Sequence, residues 1–240
     1  MTDELSHCFN DSTWLFFDGF GSLIDWEGGM ACFLYTLALR SGDDAPPRGG
    51  RIFAEWEAIR HGLMREAFRP YRDVLSLSLR AWCQQRGYEW DDGYGAAAKT
   101  AMRAFQPFPE AYPVLRRALA AGKKLAVIVD ADHDIINHNF NHLPIDFDEV
   151  IVSEDCRSYK PSPENFSRAL QQTGAAPDQV LYVATDLESD IAPARRAGML
   201  TAWINRAAVD APDEALADHI WRNLWELADL VAPEDEPEST

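Results

Sequence analysis

Cysteine is scarce in this 240-residue chain, which contains four cysteines and no Cys-x-x-Cys spacing. This scarcity argues against a disulfide framework or a cysteine zinc site and favours reduced thiols in a cytoplasmic protein. Basic residues are also few, with 22 Lys and Arg against 39 Asp and Glu, and the net charge of −17 argues against a nucleic-acid partner. No apolar run approaches about 18 residues, so the sequence predicts no membrane span.

Short apolar runs alternate with helical patterns over most of the chain. The sequence predicts buried strands over residues 14–17, 125–129, 149–152, 180–184 and 201–204. Helical patterns over residues 113–121, 163–172 and 190–197 each lead to a glycine, which is typical of a helix end. Strands that alternate with helices predict an α/β fold, with a doubly wound parallel sheet.

One long segment departs from this alternation. Between residues 29 and 107 we find helical stretches at 30–39, 52–65 and 74–86, without a strong strand signal between them. We therefore predict a helical insertion at 29–107, seated over the edge of a core formed by residues 1–28 and 108–232. Residues 233–240 are acidic and rich in proline, which predicts a disordered tail.

The first predicted strand delivers a carboxylate to its end. Asp18 closes the apolar run, and a Gly-x-Gly turn that leads to Ser22 follows directly. Ligands of open α/β sheets bind at the carboxyl ends of the strands, where a carboxylate can attack carbon or phosphorus and form an ester. Other charged residues also follow predicted strands, namely Asp130, Lys160, Asp186 and Asp190. All of these groups can therefore converge on one crevice.

These motifs resemble those of the haloacid dehalogenase-like hydrolase superfamily. The segment from Asp18 to Leu23 fits the family's first motif, which is Asp, two variable positions, Gly, Thr or Ser, and Leu. Phe20 takes the place where phosphatases of the family carry a second Asp and 2-haloacid dehalogenases carry Tyr. The stretches Arg157-Ser158-Tyr159-Lys160-Pro161 and Trp203-Ile204-Asn205-Arg206 are also similar to the dehalogenase branch. The resemblance implies a Rossmann-like core, and it makes the insertion the family's helical cap.

The resemblance also implies roles for single residues. Asp18 is the expected nucleophile, Ser22 its hydrogen-bond partner, and Lys160 the base that orients and stabilises it. Asp186 and Asp190 match the acidic fourth motif, in which phosphatases bind Mg²⁺ together with the nucleophile and the backbone carbonyl of the third position. The implied magnesium ligands are therefore Asp18, Phe20, Asp186 and Asp190, if the enzyme uses a metal.

Two positions depart from the family pattern. Val129 and Asp130 stand where the second motif has Ser or Thr followed by Asn, and Val129 cannot donate a hydrogen bond. Asp130 adds a negative charge that favours a neutral or cationic substrate, unless this carboxyl is itself neutral or bound to a metal. We expect Phe20 and Asp130 to contact the substrate. A dehalogenase also needs a cap arginine for its substrate; the candidates are Arg48, Arg51, Arg60, Arg65 and Arg69.

The sequence favours a hydrolase that attacks a small organic substrate at carbon through an aspartyl ester, in the manner of 2-haloacid dehalogenases. Such an enzyme needs no cofactor. The acids of the fourth motif keep a Mg²⁺-dependent phosphohydrolase as an alternative, and the altered second motif keeps a non-catalytic family member as another. The expected partner is a small molecule, with no nucleic acid and no membrane, and the resemblance allows a homodimer.

Overall fold

The strands of the computed structural model, which describes residues 12–210 and 217–230, all lie in one sheet. They are β1 (Trp14–Asp18), β2 (Lys124–Val129), β3 (Glu149–Val152), β4 (Val180–Ala184), β5 (Leu200–Ile204) and β6 (His219–Trp221). The α-helices are α1 (Trp26–Arg40), α2 (Gly50–Met64), α3 (Tyr71–Arg86), α4 (Gly93–Arg103), α5 (Ala111–Ala120), α6 (His133–Phe140), α7 (Ser153–Cys156), α8 (Pro163–Thr173), α9 (Ala192–Arg196) and α10 (Trp225–Leu230).

The strand order is β3-β2-β1-β4-β5-β6, and each neighbouring pair is parallel. The chain moves outward from β1 in one direction through β2 and β3, and in the other through β4, β5 and β6. This order is that of the Rossmann fold, in which ligands bind beside the carboxyl ends of the strands where the direction reverses. The predicted α/β fold with a doubly wound parallel sheet is confirmed.

The five predicted strands are present, each within one residue of its predicted bounds. The short strand β6 was not predicted, because its three residues, His219, Ile220 and Trp221, are too few to show a periodicity. The predicted tail at 233–240 lies outside the described residues. Among the residues that the structure describes, no helix is long and apolar enough to cross a membrane.

Both faces of the sheet are buried. Leu15 and Phe17 of β1 pack into one apolar cluster, whereas Trp14 and Phe16 pack into the other. Side chains alternate between the two faces of a strand, so a strand covered on both sides is apolar at every position. All five residues of β1 are buried, and its last residue, Asp18, therefore carries its carboxylate at the edge of an apolar core.

The chain between β1 and α5 forms the four helices α1 to α4 and contains no strand. The first of these helices begins at Trp26, where the side chain of Asp25 accepts a hydrogen bond from the amide of Gly28. The expected boundary at residue 29 thus falls within the first turn of α1. Gly28 and Gly29 lie in this first turn and obscure the start of the helix in the sequence, because glycine has a low helix propensity.

Side chains of the sheet layer complete two of these inserted helices. Asp132, at the start of α6, accepts hydrogen bonds from the amides of Tyr71 (2.8 Å) and Arg72 (3.0 Å) at the start of α3. Asn139 of α6 donates to the carbonyls of Met102 (2.7 Å) and Phe105 (3.2 Å), at the end of α4. The terminal amides and carbonyls of a helix have no partner within it, so these two residues supply bonds that the inserted helices lack.

Candidate active site

Asp18 is held at the end of β1 by a turn that requires two glycines. A Cβ atom on Gly19 would lie 2.9 Å from Cγ2 of Val129, so a larger residue would push against strand β2. Gly21 has a φ of 91°, a left-handed conformation that glycine adopts without strain. The turn brings Ser22 back under the carboxylate of Asp18, and both side chains are buried.

Three charged side chains meet in the buried crevice beside this turn. The Nζ atom of Lys160 lies 2.7 Å from Oδ1 of Asp18 and 2.6 Å from Oδ1 of Asp190. The hydroxyl of Ser22 donates to the other oxygen of Asp18 at 3.2 Å. These residues come from three separate parts of the chain, and Lys160 is 142 positions from Asp18. The sheet therefore assembles one ammonium group between two carboxylates, away from bulk water.

The electrostatics of Asp18 result from a balance between burial and Lys160. Burial raises the pKa of Asp18 to about 7, the positive charge of Lys160 opposes the rise, and the negative charge of Asp190 adds to it. Burial lowers the pKa of Lys160, but the charges of Asp18 and Asp190 outweigh burial and raise it well above its ordinary value. The lysine therefore stays an ammonium ion and favours the ionised form of Asp18.

Asp190 receives three donors. Its Oδ1 atom accepts hydrogen bonds from Lys160 and from the hydroxyl of Tyr182 (2.5 Å), and its Oδ2 atom accepts one from the hydroxyl of Ser189 (3.0 Å). Tyr182 lies within β4, and sequence reasoning missed it because the residue fits an apolar strand. The orientation of Asp190 is thus fixed from the sheet below and from its own turn.

Asp186 begins the same turn, and its side chain caps the amino end of that turn. Its Oδ1 atom accepts hydrogen bonds from the amides of Glu188 (2.8 Å) and Ser189 (2.7 Å). Within residues 12–210 and 217–230, no three His, Cys, Asp or Glu side chains come together in a way that could hold a metal ion. The Lys160 ammonium occupies the space between Asp18 and Asp190. The four magnesium ligands that the resemblance implies, Asp18, Phe20, Asp186 and Asp190, all line one cavity, and their binding of a metal stays a prediction.

Asp130 follows β2 and contacts the loop that carries the lysine. Its Oδ1 atom accepts hydrogen bonds from the hydroxyl of Ser153 (2.6 Å) and from the backbone amide of Lys160 (3.1 Å). Burial raises the pKa of Asp130 above its ordinary value and outweighs the charge of Lys160 and the bond from Ser153, which act in the opposite direction. Asp130 thus helps to position the lysine and also lines the crevice.

A cavity of about 620 Å³ opens above these groups, between the carboxyl edge of the sheet and helices α1 and α2. Asp18, Asp130, Lys160, Asp186 and Asp190 line its floor, and Phe20 lines it near Trp26, with ring centroids 5.4 Å apart. The predicted site residues, apart from the buried Ser22, thus border one cavity of a size typical for small-molecule sites.

Two of the five candidate cap arginines, Arg60 and Arg65, line this cavity. Arg60 is buried on α2, with its guanidinium 5.4 Å from the ring centroid of Trp26. Its Nε and Nη2 atoms donate to the two carboxylate oxygens of Glu57 at 2.6 and 2.5 Å. Sequence reasoning missed this bidentate pair, although a spacing of three residues on a helix is a signal for such contacts.

Arg206 fixes the turn after Asp18 from the end of β5. It donates to the carbonyls of Ser22 (2.9 Å) and Gly21 (3.3 Å), and to the carboxylate of Glu110 (2.5 Å). Its guanidinium stacks on Phe108 at 3.6 Å from the ring centroid. Arg206 belongs to the Trp-Ile-Asn-Arg stretch, and its contacts explain a basic residue there.

Comparison of the sequence with known families gives a match to the family described as haloacid dehalogenase-like hydrolase, over residues 75–204. An (S)-2-haloacid dehalogenase of Pseudomonas putida is 29% identical over 224 residues, which cover 90% of this chain and 94% of the relative. A glyceraldehyde 3-phosphate phosphatase of Methanocaldococcus jannaschii is 33% identical over 129 residues, or 52% of this chain. The matched part spans 57% of that phosphatase, little more than half of its length.

Solved structures share the fold over nearly the whole chain. The L-2-haloacid dehalogenase from Xanthobacter autotrophicus, in a structure with chloropropionic acid covalently bound, superposes with a TM-score of 0.73. The sequence identity is 20%, and the match covers 92% of this chain and 98% of the dehalogenase. Both the inserted helices and the sheet therefore have counterparts in proteins with this fold.

Proposed function

The chain belongs to the haloacid dehalogenase-like hydrolase family, and within this family we propose that Asp18 attacks a carbon atom of a small organic substrate. The contact that supports this role is the buried 2.7 Å pair between Lys160 and Asp18, at the floor of a cavity open to a small molecule. A carboxylate is a weak nucleophile, and the ammonium keeps it ionised where burial alone would protonate it. The similarity to 2-haloacid dehalogenases favours halide as the leaving group.

In the proposed reaction, an oxygen of Asp18 forms a bond to the substrate carbon while the carbon–halogen bond breaks and the halide leaves with its electron pair. Water then attacks the carbonyl carbon of the aspartyl ester, which releases the alcohol and regenerates the carboxylate with loss of one proton. Ser22 and Lys160 each hold one oxygen of Asp18, so the carboxylate is oriented before the substrate arrives. We propose that the inserted helices, residues 29–107, act as the cap that limits access of bulk water.

Attack at carbon fits the residues of the site better than attack at phosphorus. Phosphoryl transfer needs groups that neutralise the transferred phosphate and protonate the leaving oxygen. The side chain of Phe20 can do neither, and no group of three or more His, Cys, Asp or Glu side chains among the described residues is arranged to hold a metal ion. We therefore propose a reaction that does not require Mg²⁺.

A phosphohydrolase is the second candidate, and the 33% identity to a glyceraldehyde 3-phosphate phosphatase favours it. The two candidates differ in their need for metal. Release of phosphate from p-nitrophenyl phosphate that depends on Mg²⁺ and disappears with EDTA would support the second candidate. Halide release that is unaffected by EDTA would support the first.

The nucleophile is tested by isotope labelling. The enzyme is incubated in H₂¹⁸O with 2-chloropropionate and, separately, with 2-chloropropionamide, and the peptide that contains Asp18 is analysed by mass spectrometry. Because water attacks the ester at the aspartate carbon, turnover should place ¹⁸O in Asp18. The variant Asp18→Asn should fold and lose at least about 10³-fold in rate. Halide release without label in Asp18 would refute the assignment.

A further inference from the structure

The charges around the cavity are unevenly divided. Eight Asp and Glu side chains line it, against four Lys and Arg side chains, namely Arg60, Arg65, Lys160 and Arg206. Each of these four cations already faces a carboxylate. Lys160 contacts Asp18 and Asp190, Arg65 lies 3.0 Å from Glu188 at the mouth, and Arg206 contacts Glu110. An anion that entered would find carboxylates in excess and would have to compete for every cation.

Arg60 is the buried cation that α2 contributes to the cavity, and Glu57 holds it with two hydrogen bonds. Both oxygens of Glu57 bind the Nε and Nη2 edge of its guanidinium, which is the edge that takes a carboxylate in two parallel hydrogen bonds. Its Nη1 atom is directed to the sulfur of Met64 (2.8 Å) and towards the hydroxyl of Tyr71 (3.5 Å). Glu57 thus fills the position that a substrate carboxylate would take.

Glu57 keeps its negative charge at any pH at which the enzyme could work. Burial raises its pKa, but the charge and hydrogen bonds of Arg60 outweigh burial and lower the pKa to about 2. His61 adds a contact to the same carboxylate at 3.1 Å. Asp130 lines the same cavity and presents a second carboxyl group beside Lys160, which is already paired with Asp18 and Asp190. Among the residues that the structure describes, every Lys and Arg side chain that lines the cavity is therefore already paired with a carboxylate.

We propose that Glu57 is a specificity-determining residue which, with Asp130, restricts this site to substrates that are neutral or cationic. This inference rests on the proposed function, since it names the substrate class for the reaction at Asp18. The matching substrates are 2-halo amides and related uncharged halides rather than 2-halo carboxylates. In chemical terms, the protein supplies in Glu57 the carboxylate that a haloacid would otherwise bring to Arg60.

The test compares two substrates with the same carbon skeleton and leaving group. For the wild-type enzyme, kcat/KM for 2-chloropropionamide should exceed that for 2-chloropropionate by at least about tenfold, after correction for their rates with acetate in solution. Binding of the products gives a second measurement that does not need turnover. By calorimetry, lactamide should bind more tightly than lactate by a similar factor. A preference for the carboxylate substrate, or equal binding of the two products, would overturn the inference.

Replacement of Glu57 should move the preference. In Glu57→Gln the guanidinium of Arg60 loses its charged partner and can receive a carboxylate, so selectivity should shift towards 2-chloropropionate by about 10- to 100-fold. The control is Glu55→Gln, on the same helix, where the carboxylate lies 3.6 Å from Arg86 and outside the cavity lining. The control should keep the wild-type ratio. An unchanged ratio in folded Glu57→Gln would contradict the role of Glu57.

The inference and the proposed function fail in different ways. If neither chlorinated compound places ¹⁸O in Asp18, the proposed function is wrong for these halides, while the comparison of lactate with lactamide still decides the charge preference. If both compounds label Asp18 and the carboxylate is preferred, the reaction at Asp18 stands and the inference is wrong. If Glu57→Gln does not fold, the wild-type substrate and product comparisons still decide the charge preference.

Discussion

Loss of the Lys160 ammonium should move the pH range in which the enzyme works. The group whose ionisation sets this range is Asp18, because it attacks as the ionised carboxylate. Its pKa is about 7 in the presence of the lysine. Activity of the wild type should therefore fall as the pH drops through about 7. In Lys160→Met the opposing charge at 2.7 Å is absent, so burial and Asp190 act on Asp18 without compensation.

The size of this effect follows from the ionised fraction of Asp18. A close opposite charge lowers a carboxyl pKa by about 1 to 3 units, so its removal should raise the pKa of Asp18 by about 2 units. Near pH 7 the ionised fraction would then fall from about one half to about 1%, which is a loss of about 50-fold in rate. The rate should recover as the pH rises through about 9.

The assay is chloride release as kcat/KM between about pH 5 and pH 10, with the better of the two chlorinated substrates. Lys99→Met is the matched control, because Lys99 is also paired with a carboxylate, at 3.2 Å from Asp134, but does not line the cavity. Its profile should superpose on that of the wild type. If the acid limb of Lys160→Met stays at the wild-type pH, Lys160 does not control the ionisation of Asp18.

Two further predictions concern residues that act through others. Arg206→Met removes the donors to the carbonyls of Gly21 and Ser22, so kcat should fall about tenfold with little change in KM, because the turn beside the nucleophile loosens; a change in KM alone would contradict this positioning role. Asp132→Ala leaves the first amides of α3 without a cap, so the melting temperature should fall by about 2 to 6 °C, whereas Asp132→Asn, which keeps one of the two acceptor oxygens, should restore only part of the loss. Equal melting temperatures of the two Asp132 variants would show that capping is not what Asp132 contributes.

The fold could be predicted from the sequence because its strands are buried on both faces. A strand such as β4, Val180–Ala184, is apolar at every position, and glycines mark the helix ends between the strands. Since all strands are parallel, residues that follow them must reach the same edge of the sheet. That topological fact alone predicts that Asp18, Asp130, Lys160 and Asp190 approach each other.

Other parts of the site depend on contacts that no local pattern encodes. Tyr182 is an ordinary residue of an apolar strand until the fold brings its hydroxyl to Asp190. Arg60 could be named from the sequence as a candidate. Its ion pair with Glu57 could not be predicted, because the strength of that pair depends on the burial of the two side chains in the fold. The position of the lysine between the two aspartates is likewise a consequence of side-chain packing.

The bonds from Asp132 and Asn139 bear on how the protein unfolds. One residue closes the amino end of α3 and the other the carboxyl end of α4, and each belongs to the sheet layer rather than to the inserted helices. The inserted helices therefore do not contain all of the partners for their own backbone. Heat or denaturant should melt both layers in a single cooperative transition, and the excised segment 26–103 should have little helical content by circular dichroism.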